Sequence, residues 1–156
     1  MKLIYLLKET TVLKTVGWIK DLEILDIAIS SRKVKKGSLF IAQKGLNFDG
    51  TVFVEEAIIN GAVAIICEKE LPAFNIPQII VKNTRIATAT LASTFFGNPK
   101  NSLKFVGVTG TNGKTSCAEF LSTIITKTLA PCGYIGTTGA KLGEKTYPTF
   151  LTTPDP

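Results

Sequence analysis

Residues 105–116, Phe-Val-Gly-Val-Thr-Gly-Thr-Asn-Gly-Lys-Thr-Ser, hold the groups of this chain best suited to chemistry on phosphate. Gly110 and Gly113 allow a tight turn that aims several backbone N–H groups at one anion. A helix starting behind Gly113 would add the positive end of its dipole to the same point. Lys114 then reaches terminal phosphates, and the Thr115 hydroxyl can serve a magnesium ion. The general phosphate-loop pattern calls for glycine five residues before Gly113, where this chain has Val108. Without a nucleotide, the same residues would make a plain strand-to-helix turn with a solvated lysine.

Other chemistries are limited by composition. The chain has 156 residues and no histidine, which removes Ser–His and Cys–His nucleophiles and the commonest metal ligand. Cys67, Cys117 and Cys132 have no short spacing, so reduced thiols are expected rather than a disulfide framework or a zinc site. A net charge of +6 favours anionic partners such as nucleotides and phosphorylated sugars. Nucleic acid is not expected, because no basic run is interleaved with aromatics. Lys33, Lys35 and Lys36 read as a solvated loop. The apolar run Leu3–Leu7 is too short to span a membrane and lacks a cleavage site, so a soluble cytoplasmic protein is expected.

Apolar periodicity supplies the elements that would position these groups. Residues 1 to about 20 suggest a short helix and a connector, and Glu23–Ile29 a strand ending in Ser30-Ser31-Arg32. Ser38–Ala42 reads as a second strand, followed by a loop from Gly45 to Gly50. A helical pattern starts at Thr51 with Asp49 as a capping residue. Ala62–Cys67 and Gln78–Val81 follow as buried strands, then a helix opening at Asn83 or Thr84 and stopping near Gly97-Asn98-Pro99. This makes an α/β unit of about a hundred residues, enough for its own core. The polar segment 97–102 is the expected linker. Beyond it a βαβ unit is predicted. Its first strand is Lys104–Thr109, buried through Val106 and Val108. A helix from Lys114 carries Cys117, Phe120, Leu121, Ile124 and Ile125 on one face, and Gly133–Ile135 is the next strand. A doubly wound nucleotide-binding sheet needs more strands than residues 101–156 can hold, so this second domain is expected to be a truncated start. Its open edge and apolar faces suggest self-association.

Gly-Thr-Asn-Gly-Lys-Thr behind a hydrophobic strand resembles the ATP loop of the Mur ligases, which form amide bonds in peptidoglycan precursors. Two further segments agree. Ser30-Ser31-Arg32, Gly37–Ala42 and the Gly45–Gly50 loop are similar to the N-terminal domain of the class acting on the muramoyl dipeptide. Thr152-Thr153-Pro154 resembles a segment that contacts the sugar-peptide substrate in that class. Gly136–Gly139 is similar to the family's turn after the second strand. Ser30 departs from the family, which usually has aspartate there.

The resemblance implies an α/β protein with a UDP-muramoyl-binding domain over 1–100 and the start of an ATP-binding central domain over 101–156. It implies that Thr109, Gly110, Thr111, Asn112, Gly113, Lys114 and Thr115 hold ATP, with Lys114 catalytic and Thr115 on Mg2+. Ile29, Ser31, Arg32, Leu46, Asn47 and Phe48 would hold the UDP moiety, and Thr152 and Thr153 the sugar-peptide. The implied reaction joins a diamino acid, meso-diaminopimelate or L-lysine, to UDP-N-acetylmuramoyl-L-alanyl-D-glutamate through an acyl phosphate. Other necessary parts of the family's machinery lie outside these residues, so ligase activity from this segment alone is not expected. Alternatives are a UDP-sugar-binding module without catalysis and a folylpolyglutamate synthetase-like ligase. The latter usually continues Gly-Ser where this chain has Thr115-Ser116. A phosphate-loop kinase or GTPase would not ordinarily carry an α/β domain ahead of its loop.

Overall fold

The computed structural model describes residues 1–45 and 49–148. The chain divides into two compact units, Met1–Ser102 and a second that starts at Leu103.

The first unit is a five-stranded sheet in the order β1-β5-β4-β3-β2. β1 is Val12–Val16, β2 Asp26–Ala28, β3 Ser38–Ile41, β4 Ala62–Cys67 and β5 Gln78–Val81. The strands β2 to β5 pair in parallel, and β1 joins the edge antiparallel to β5. Helix α1 is Leu3–Leu6, α2 Val54–Ile59 and α3 Thr84–Phe95. Side chains alternate across the sheet, which gives two cores. Leu39, Ile41, Ile66, Ile79 and Val81 pack with Leu3, Leu6, Ala87 and Leu91. Phe40, Ile65, Cys67 and Ile80 pack on the other side with Val54 and Ala57. These near-continuous apolar strands are those of a parallel sheet covered on both faces.

Local chemistry sets the connections. The Asp49 side chain accepts from the Thr51 backbone N–H and hydroxyl, closing a short 3-10 turn over Gly50–Phe53 that leads into α2. The helix proper therefore starts at Val54, three residues after the expected Thr51. Gly61, at φ +106°, turns α2 into β4; a Cβ there would meet Lys36 Cα at 2.8 Å. The β4–β5 connection contains no helix. The buried Gln78 amide holds it, donating to the Leu71 and Phe74 carbonyls and accepting from the Leu71 N–H. Asn83 caps α3 by accepting from the Arg85 and Ile86 N–H groups.

Two expectations change here. Residues 1–20 contain β1 as well as the short helix. Strand β2 is also shorter than Glu23–Ile29. β1 is an edge strand with Lys14 and Thr15 facing solvent, so it lacks the apolar alternation of a covered strand.

In the second unit, α4 is Lys114–Thr128, followed by β6 Gly133–Gly136, β7 Gly139–Leu142 and β8 Lys145–Tyr147. The last three form an antiparallel meander, not the expected βαβ unit. Residues 104–109 form no strand, and Phe105, Val106 and Val108 are exposed. A strand exists only through bonds to a neighbour, and the described strands of this unit pair with one another. The helix and β6 form where expected, but α4 has no buried residue, so its apolar stripe is uncovered.

Candidate functional site

The candidate phosphate loop, residues 109–115, lies in the second unit. Gly110 and Gly113 take φ +153° and +76°, backbone that L side chains rarely adopt. A Cβ on Gly113 would touch nothing within 4 Å, so conformation and not crowding requires glycine there. Gly113 is the N-cap of α4 and makes no side-chain bond, and its carbonyl accepts from the Cys117 N–H at 2.9 Å. The first N–H groups of the helix therefore face the loop, as anion binding requires.

Lys114 folds back over this turn. Its ammonium donates to the Gly110 carbonyl at 2.7 Å and to the Thr111 carbonyl at 3.4 Å. The Thr115 hydroxyl lies 3.1 Å from that of Thr137, in the turn between β6 and β7. Thr109, Gly110, Thr111, Asn112, Gly113 and Lys114 are all exposed, and Thr115 is half-buried. Seven consecutive residues thus set backbone amide donors, the Lys114 ammonium and three threonine hydroxyls around a single turn.

The first unit gathers its loops at the carboxyl ends of β2 to β5, where ligands of open parallel sheets bind. After β2, residues Ser31–Lys33 form a 3-10 turn. Ser31 is buried, its hydroxyl donating to Glu56 Oε2 at 2.7 Å. Its carbonyl accepts from Asn60 Nδ2 at 3.0 Å. Ile29 and Arg32 are exposed beside it. Leu46, Asn47, Phe48, Thr152 and Thr153 lie outside the described residues.

A cleft of about 290 Å³ opens next to this edge, lined by Lys44, Gly45, Glu68, Asn83 and Arg85. Glu68 Oε1 accepts from the Thr84 N–H and hydroxyl, and Thr84 Oγ1 accepts from the Lys44 N–H. The sequence reading did not single out Lys44 or Arg85. The available signal was a cation directly before Gly45 and another two residues after the Asn83 cap. Among the described residues, no group of three or more His, Cys, Asp or Glu could hold a metal ion. None of their helices is long and apolar enough to cross a membrane.

Comparison with known proteins decides the family. The model of the Mur ligase family, catalytic domain, matches residues 23–96. A UDP-N-acetylmuramoyl-L-alanyl-D-glutamate–2,6-diaminopimelate ligase of Geobacillus thermodenitrificans is 42% identical over 133 residues, 85% of this chain and 27% of the relative. Residues 23–96 are a Mur ligase family domain.

The ligase of the same name from Listeria monocytogenes serotype 4b is 46% identical over 136 residues, 87% of this chain and 28% of that protein. Among solved Mur ligases, a UDP-N-acetylmuramoyl-L-alanyl-D-glutamate–2,6-diaminopimelate ligase aligns over 83% of this chain and 27% of its own. Its TM-score is 0.67 at 28% identity. The Thermotoga maritima MurF ligase, solved in complex with ADP, aligns over 76% of this chain and 28% of its own, with a TM-score of 0.51 at 33% identity. This chain spans little more than a quarter of the length of the curated relatives it matches.

Proposed function

We propose that this chain is the N-terminal part of an ATP-dependent ligase. The enzyme would add a diamino acid to UDP-N-acetylmuramoyl-L-alanyl-D-glutamate in peptidoglycan synthesis. The observation that carries this reading is identity above 40% with ligases of that name, continuous over most of the chain. Residues 1–100 are the UDP-muramoyl-binding domain, and residues 101–156 open the ATP-binding central domain. The free thiols and the use of ATP fit a cytoplasmic enzyme.

The loop fits ATP in its donors: backbone N–H groups at the start of α4, the Lys114 ammonium and glycines able to hold the turn. An arriving β- or γ-phosphate replaces the Gly110 carbonyl as the partner of Lys114, exchanging a neutral acceptor for a charged one. Thr115 supplies the hard oxygen donor that Mg2+ prefers, and the bound ion neutralises phosphate charge. Lys114 and the loop amides orient the terminal phosphate toward the D-glutamate carboxylate. The phosphoryl group passes to that oxygen as ADP leaves, and the diamino acid's amine then displaces phosphate from the acyl carbon. Ile29, Ser31, Arg32, Leu46, Asn47 and Phe48 hold the UDP moiety, and Thr152 and Thr153 the sugar-peptide.

For these residues by themselves, a UDP-sugar-binding module is the second reading. It is favoured by the uncovered α4 and the unpaired 104–109 segment, which leave the nucleotide loop weakly supported. Isothermal titration of the chain with UDP-N-acetylmuramoyl dipeptide tests the first unit, and saturable binding competed by UDP is expected. Absence of any saturable binding contradicts the assignment.

A further inference from the structure

Glu56 touches the proposed UDP site without belonging to it. It lies on α2, one helical turn before Asn60, and the two grip the turn after β2 at separate atoms of Ser31. Glu56 takes the hydroxyl proton at 2.7 Å, and Asn60 donates to the carbonyl at 3.0 Å. The same carbonyl accepts from the Val34 N–H at 3.1 Å. A carboxylate only accepts hydrogen bonds, so in this pair the hydroxyl must be the donor. Its single proton is committed, in a charge-assisted bond that is stronger than a neutral one. Only lone pairs remain for a ligand.

From this geometry we propose that Glu56 sets the polarity of Ser31, making it an acceptor that selects the nucleoside half of the ligand. The inference rests on the UDP-binding reading of the first unit. Uracil carries an imide N–H and ribose carries hydroxyls, and either can donate to a fixed oxygen. A phosphate oxygen has no proton to give and would face both the Ser31 lone pairs and the Glu56 charge. The diphosphate therefore lies away from Ser31, and Glu56 acts as a positioning residue through a hydroxyl that meets the base or sugar.

The test is isothermal titration of the chain with UDP, N3-methyl-UDP and 2′,3′-dideoxy-UDP. The wild type is expected to bind one of the two analogues about tenfold more weakly than UDP, the effect of one lost hydrogen bond. In Glu56→Ala the freed hydroxyl rotates, and that ratio falls toward one. Glu56→Gln keeps an acceptor oxygen and keeps the ratio. A purely structural role would weaken all three ligands alike. The proposal is overturned if Glu56→Ala retains the wild-type ratio, or if the wild type discriminates against neither analogue. A wild type that binds no UDP at all removes the UDP-binding reading and this inference with it. Glu56 is exposed, and far-UV circular dichroism checks that the variants remain folded.

Discussion

The hydroxyls of Thr115 and Thr137 lie 3.1 Å apart, tying the first turn of α4 to the turn between β6 and β7. If Thr115 serves the magnesium of a bound nucleotide, the two threonines differ in function although they share this bond. Thr115→Val in the intact ligase is expected to weaken Mg-nucleotide binding about 10- to 100-fold, and to have no such effect in EDTA. Thr137→Val removes a partner and not a ligand, so a change below about threefold is expected. Titration with a fluorescent ATP analogue, with and without magnesium, reads both.

Thr84 is fully buried, and its hydroxyl and N–H both bond to Glu68 Oε1, at 3.0 and 2.9 Å. Thr84→Val keeps the shape but removes the hydroxyl that Glu68 and the Lys44 N–H share. The expected cost is about 1–3 kcal/mol. In a domain of this size each kcal/mol lowers the midpoint by roughly 4–8 °C, which thermal unfolding measures.

The Thr51 backbone N–H, followed by its hydroxyl, holds the Asp49 carboxyl below its ordinary value of 3.8. A group depressed by folding stabilises the fold above its unfolded value, and that stabilisation is lost as pH falls through the folded value. Asp49→Ala is therefore expected to cost about 1 kcal/mol at neutral pH, and almost nothing once the carboxyl is protonated. Urea unfolding of both proteins at pH 7 and below pH 3 checks the convergence.

Burial pushes the Cys67 thiol up to about 11, whereas Cys117 is exposed on α4. At pH 8 a thiol reagent should label Cys117 rapidly and leave Cys67 unmodified until the chain is unfolded. Peptide mass spectrometry after timed labelling distinguishes the sites. Rapid modification of Cys67 in the folded protein would contradict the core packing.

The legible parts of the fold were those whose burial is completed within the first unit. β3, β4, β5 and α3 carry apolar residues on the faces their neighbours cover, and their patterns identify them. The patterns around Val106 and along α4 are equally apolar, yet in the structure these segments lie open. Periodicity reports a face that needs covering, not the element that covers it. β1 failed in the opposite sense, because an edge strand with Lys14 and Thr15 outward carries little pattern. At the candidate site, glycine spacing made the tight turn at Gly110 and Gly113 visible, and both take positive φ. The grip of Glu56 and Asn60 on Ser31 was not visible, since it joins residues 25 and 29 positions apart through a crossover.

The central claim is that the turn from Thr109 to Thr115 holds the phosphates of ATP through backbone amides and Lys114. The most direct measurement is calorimetric titration of Mg-ATP into the intact ligase and its Lys114→Ala variant. A loss of affinity of about 100-fold or more, with the binding of UDP-N-acetylmuramoyl dipeptide unchanged, is the predicted result. Equal affinity of the two proteins for Mg-ATP would contradict it.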